Sequence, residues 1–188
     1  EDNLTKAQWY LQNNLGLLRI NDPEIDFVLL QRNSANTIFR FGEVYSGVPI
    51  HRAELSIQFD PTTGNIKRLV GSYLPSLNIN LGPVLLSQQA EDLALTEAGD
   101  GAQLTGETQL RVVNLGLLGY DEEKSQLAWQ VNLANSAKSV IFVDAYNGNI
   151  LHDEPSYLDD FNLDIENGLN DTSETCWNFA DNTKWFDE

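Results

Sequence analysis

From Ala53 to Phe59 the chain alternates without a break. Ala53, Leu55, Ile57 and Phe59 are apolar, and Glu54, Ser56 and Gln58 are polar. Period-two alternation puts all the apolar side chains on one side of a pleated strand, so this run predicts a strand with one face buried. Residues 27–31, 37–45 and 65–73 read as its neighbours. The connection Asp60-Pro61-Thr62-Thr63-Gly64 has the Pro and Gly chemistry of a hairpin turn. Ahead of these strands the period changes. Ala7, Tyr10, Leu11 and Leu15 are spaced three and four apart and predict a helix over residues 6–15, with Thr5 and Gln8 as a capping box and Gly16 as its stop.

The second half repeats this order. Ser87 is placed to cap a helix carrying Ala90, Leu93, Ala94 and Ala98 on one side and ending near Gly99. Strands are predicted at 109–114, 126–133, 139–144 and 149–152, and Leu127, Trp129, Val131 and Leu133 form one apolar face of the second of them. The closing turns match. Phe59-Asp60 to Gly64-Asn65-Ile66 and Val143-Asp144 to Gly148-Asn149-Ile150 share their Asp, Gly, Asn and flanking apolar residues at an offset of 84 positions. Pro75, Gly82 and Pro83 interrupt both periodicities and mark a linker. The predicted class is therefore α+β. Two tandem units are expected, each an antiparallel sheet with one packed helix in a cystatin-like arrangement, spanning residues 1–78 and 79–155. Residues 156–188 form an irregular acidic tail, punctuated by Tyr157, Phe161, Trp177, Phe179, Trp185 and Phe186, in which Lys184 is the only basic residue.

Charge narrows the partners. The chain of 188 residues carries a formal net charge of −17, which repels a nucleic-acid backbone and an anionic membrane surface. No apolar run approaches the roughly 20 residues that span a bilayer. The expected setting is secreted, with any signal peptide already removed or lying outside this stretch of sequence, since Glu1-Asp2-Asn3 has neither a basic nor an apolar leader character. Cys176 is the one cysteine, so the core must hold the fold without an internal disulfide, and it reads as an inert side chain.

Catalytic chemistry is hard to place. His51 and His152 lie in separate halves and read as ordinary strand residues. No helix carries two histidines four apart, and no P-loop, dinucleotide-binding glycine motif or nucleophile elbow occurs. The acidic clusters Asp121-Glu122-Glu123 and Asp159-Asp160 read as a turn and a solvated tail. Asp144, Asn147 and Asn149 could offer oxygens to calcium but lack the later glutamate of an EF-hand loop. Asn3-Leu4-Thr5 and Asn170-Asp171-Thr172 fit the glycosylation triplet, which matters only in a eukaryotic secretory pathway.

The stretch Arg40-Phe41-Gly42-Glu43-Val44-Tyr45-Ser46-Gly47-Val48-Pro49-Ile50 resembles the core of the fungalysin/thermolysin propeptide (FTP) domain, roughly Arg-Phe-x-Gln-x-Tyr-x-Gly-Val-Pro-Val, with the following strand running to Asp60 and the Gly64 turn. Glu43 stands where that motif usually has Gln. The second half resembles a PepSY domain, through Leu127-Ala128-Trp129-Gln130-Val131 and Phe142-Val143-Asp144-Ala145-x-x-Gly148-x-Ile150-Leu151. The resemblance covers residues 4–155. It implies a non-catalytic pro-region that helps a thermolysin-like zinc metalloprotease domain to fold, and inhibits it until cleavage. The implied partner is that protease domain in cis. Zinc and calcium are expected only in the protease domain, which this stretch of sequence does not contain, and no cofactor is expected here. Tyr157, Phe161 and Trp177 mark the region expected to contact the protease or to be processed. The competing reading is a freestanding secreted PepSY-type binding or protease-inhibitor module.

Overall fold

The computed structural model describes residues 2–20, 22, 26–75, 77–156, 175–178 and 183–186. The first unit opens with helix α1, Asn3–Asn13, followed by a single turn α2, Leu15–Leu18. Asp2, not Thr5, is the N-cap of α1. Its carboxylate accepts the Thr5 backbone N–H at 2.9 Å and satisfies one of the donors that a helix start leaves unpaired. Gly16 does not end the helix. The break comes at Asn14, whose φ of −124° leaves the helical region, and Gly16 lies inside α2.

Four strands follow as a meander: β1 Phe27–Arg32, β2 Ile38–Tyr45, β3 Val48–Phe59 and β4 Ile66–Ser72, each antiparallel to the one before. Ala7 and Leu11, four apart on α1, drop onto Phe39, Phe41, Leu55, Ile57 and Phe59 of the sheet, all nearly or fully buried. Fully burying side chains of this size is worth about 1.5–3 kcal/mol each, so this layer dominates the stability of the unit.

The second unit repeats the plan with helix α3, Ser87–Ala98, a two-residue strand β5, Gln103–Leu104, and the meander β6 Gln109–Asn114, β7 Ser125–Ala134, β8 Lys138–Asp144 and β9 Ile150–Pro155. Ser87 is the first helical residue rather than the cap. The Gln89 side-chain oxygen instead accepts the Leu86 backbone N–H at 2.9 Å. Ala90 and Ala94 pack on Val131, Leu133, Ile141 and Val143. Helix, then meander, then the closing hairpin is the order that the periodicity of the sequence predicts. Beyond residue 156, two short strands, β10 Thr175–Asn178 and β11 Thr183–Phe186, pair as an antiparallel hairpin.

The strands of both units are joined into one nine-stranded sheet by a single parallel bridge, Ile50 to Val112, between β3 and β6. Strand β3 serves both units. Its second half, from Glu54, pairs with β4, and its first half meets β6. Arg52 lies between the halves with φ +59°, a left-handed kink that turns the strand from one sheet into the other. Residues 74–81 are more than a linker. Leu74, Leu77, Ile79 and Leu81 pack on Ile50, Ala53 and Val112 and fill this seam.

Where β3 and β4 pair, a Cβ on Gly71 would sit 2.0 Å from the Glu54 carbonyl oxygen. Gly71→Ala is therefore expected to cost about 3 kcal/mol or more in urea unfolding. Gly16 has nothing within 4 Å of a built Cβ, and Gly16→Ala should instead gain about 0.5 kcal/mol from helix propensity. Equal effects of the two substitutions would refute this account of the packing.

Candidate functional site

Each signature residue has a structural task. Tyr45 and Val48 pair across a two-residue loop in which Ser46 and Gly47 have φ of +49° and +84°. Positive φ at both loop positions is the tight hairpin geometry that follows the twist of the strands, and it favours Gly. Pro49, the second residue of β3, lies opposite Val44 near the strand start, where its missing donor is tolerated. Phe41 is core. Arg40 crosses the open face of the sheet, donating from Nε to Glu54 at 3.0 Å and from Nη1 to Gln31 at 3.1 Å. The Trp129 indole N–H donates to the Leu85 carbonyl at 3.0 Å and ties β7 to the approach of α3.

The paired turns match atom by atom. Asp60 accepts the N–H groups of Thr62 and Thr63 at 2.9 and 2.8 Å, and Asp144 accepts those of Tyr146 and Asn147 at 2.8 and 3.1 Å. The Gly64 N–H donates to the Asp60 carbonyl, and the Gly148 N–H to that of Asp144. The donors from Thr63 and Thr62 hold the Asp60 carboxyl below the usual carboxylate range. The second Asp144 oxygen accepts the Gln126 amide at 2.7 Å. Both Asp144 oxygens thus accept N–H donors, which gives the turn a structural role.

The fold brings His51 and His152 together at the seam. Their rings lie on Phe142, with centroids 4.4 and 6.1 Å from it. Glu154 of β9 meets His51 Nε2 at 3.1 Å and accepts from Arg52 Nη2 at 2.8 Å, while the Tyr120 hydroxyl is 3.0 Å from His152 Nδ1. Burial pushes both imidazoles below their ordinary value, and at His51 the neighbouring Glu154 opposes the shift. One carboxylate thus faces one guanidinium and two imidazoles. Among the described residues no group of three or more His, Cys, Asp or Glu comes together as a metal site. The apolar side chains of Leu74, Leu77, Ile79 and Leu81 fill the seam, and Glu154 adds a part-buried polar contact beside it.

Among the described residues Glu43 and Asp144 are the buried acids, and Glu43 has 7% of its surface exposed. Its Oε2 accepts the Leu74 backbone N–H at 2.8 Å, which fastens the start of the seam segment to β2. Burial raises its pKa to about 7, against the pull of that N–H, and nearby Asp26 adds to the rise. Tyr157 and Phe161 fall outside the described residues. Trp177 lies in β10, where only the backbone is described.

Two outcomes follow. An acid whose pKa is raised on folding stabilises the fold at low pH and loses that contribution as pH rises from its unfolded value toward 7. Glu43→Gln should remove this slope, leaving stability near pH 4 close to the parent's and raising it at pH 8 by on the order of 1–2 kcal/mol in urea titrations. At the seam, Glu154→Gln takes away the charge that favours protonated His51. His51 should then titrate lower than in the parent by NMR, with about 1 kcal/mol of stability lost. An unchanged His51 titration would contradict the contact.

No family model matches the chain, and no curated protein matches it. Two solved structures are similar in outline. The Bacillus megaterium YpeB C-terminal domain matches with 16% identity and a TM-score of 0.45, over 81% of this chain and 63% of that one. A candidate lipoprotein from Clostridium difficile 630 matches with 17% identity and a TM-score of 0.31, over 77% of this chain and 91% of that one. The chain thus spans less than two thirds of the YpeB chain's length. Likeness at these values says nothing about function.

Proposed function

We propose that this chain is the non-catalytic pro-region of a secreted thermolysin-like zinc metalloprotease, an intramolecular chaperone and inhibitor acting on the protease domain in cis. One observation carries the reading. The motif residues are consumed in turns, core and sheet contacts, while edge strand β1 keeps Val28, Leu29 and Leu30 exposed. This arrangement supports reading the chain as a scaffold that presents an edge. Gly42 makes room for Leu30, whose side chain would lie 2.8 Å from a Cβ there, and the register of β1 shifts between Leu29 and Gln31. The shift bends the edge, which discourages pairing with a second copy and leaves the apolar side chains for a shaped partner.

Binding only the folded form of a partner stabilises it by mass action, which is how a pro-region both assists folding and occupies its enzyme. No metal or cofactor is assigned to this chain under the reading; zinc and calcium belong to the protease domain. No helix among the described residues is long and apolar enough to cross a membrane, and the net charge disfavours nucleic acid as a partner.

Added in trans to its cognate mature protease, the purified chain should inhibit it at concentrations on the order of micromolar and speed its refolding. Val28→Asp with Leu30→Asp should weaken inhibition by about tenfold or more, because apolar anchors dominate such interfaces. Absence of both inhibition and refolding assistance would reject the proposal in favour of a freestanding binding module.

A further inference from the structure

A cavity of about 310 Å³ opens between the first unit and the start of the seam segment. That is the lower end of the range for small-molecule sites, about 300–1,000 Å³. Two acids line it. Glu43 commits Oε2 to the Leu74 N–H, and Asp26 commits Oδ2 to the Asp22 N–H at 3.0 Å. Among the described residues neither remaining oxygen has a hydrogen-bond partner. The rest of the wall mixes apolar side chains with Tyr45 and Tyr73.

We propose that this cavity binds a primary ammonium group on a short aliphatic stem, as carried by a lysine side chain or a free alkylamine. The donor geometry selects this class. A guanidinium is best met by both oxygens of one carboxylate, and here each carboxylate offers one. An ammonium is a compact cation with three donors, a match for single oxygens offered by two acids that line one cavity. Calcium takes about 6–8 oxygen ligands, and the described residues bring together no group of three or more His, Cys, Asp or Glu. The stem lies along Ile20, Phe27, Ile50 and Leu77. Arg19 also lines the cavity but makes no ion pair among the described residues, so its charge opposes a second cation rather than filling the site. The Glu43 carboxyl, held protonated up to about pH 7, is ionised above that pH, and ammonium binding then strengthens.

The inference stands whether or not the chain serves a protease. It is tested on the whole chain by NMR titration with n-butylamine and, separately, with Nα-acetyl-lysine methylamide. At pH 8 butylamine should bind saturably with a Kd on the order of millimolar, as five heavy atoms allow. It should perturb Leu74 and residues near Glu43, and bind about tenfold more weakly at pH 5.5, where Glu43 is protonated. Butylguanidine should bind less well. Glu43→Gln should cost about tenfold or more in affinity, since an ion pair becomes a neutral contact, and Arg19→Gln should tighten binding. Equal binding of the lysine derivative supports a protein side chain as the carrier, and binding of butylamine alone supports a free amine. No saturable binding by the parent chain, equal affinity at the two pH values, or full affinity in Glu43→Gln overturns the proposal. The pH comparison needs no variant and stands even if a substitution prevents folding.

Discussion

Strand β3 has to hydrogen-bond into two sheets, and the rest of the molecule is arranged around that requirement. Twelve residues are enough for two short pairings but cannot run straight through both. The left-handed kink at Arg52 divides the strand, and β-branched or bulky residues rarely hold such a conformation. Its cost, of order 1–3 kcal/mol, is offset only because the strand is fixed on both sides of the kink. Glu54 to Phe59 are held by β2 and β4, and Ile50 by β6. The same kink places His51 against Phe142 and sends Arg52 toward Glu154. A single parallel bridge could not fix two units by itself. The apolar side chains of residues 74–81, wedged against Ile50, Ala53 and Val112, turn the bridge into an interface.

Repetition explains the rest of the scaffold. The two closing hairpins use the same three devices at the same spacing: an Asp that caps its own turn, a Gly with positive φ, and a register shift one residue before the turn. In each unit the turn also touches the helix. Lys6 donates to the Gly64 carbonyl at 3.2 Å, and a Cβ on Gly148 would lie 2.9 Å from Leu93. Helix and hairpin therefore fix each other's position, so each unit can present its edge as a rigid element.

What the sequence made legible follows the range of the interactions. Strands β3 and β7 could be read because their alternation is set by burial of one face. The turns could be read because Asp, Gly and Pro act within four or five residues. The helix caps were misjudged because several residues compete for one cap. Thr5 has the right chemistry, but Asp2 lies three residues before it and supplies the acceptor. Gln89 reaches back to Leu86 while Ser87 sits one position too far along. Residues 74–81 looked like a linker because Pro75 and Gly82 break periodicity, yet Leu77, Ile79 and Leu81 alternate, and that pattern pointed to burial. The pairing of His51 with Glu154, 103 positions apart, left no local trace, and nor did the hairpin of β10 and β11.

Glu43 shows where a departure from a motif carries physical information. A carboxamide at this position would accept the Leu74 N–H and remain neutral at every pH. A carboxyl accepts it in either state but is neutral only while protonated, and its ionisation near pH 7 is opposed by burial and by Asp26. Stability alone therefore favours the amide, because the acid weakens the fold as pH rises. A buried acid whose charge weakens the fold is a functional-site candidate, because a use for the charge would offset that effect. The position of Glu43 supplies that use: one oxygen anchors the seam while the other borders a cavity that a second acid shares. A cation placed there would lower the cost of ionisation and link occupancy of the first unit to the segment that joins it to the second.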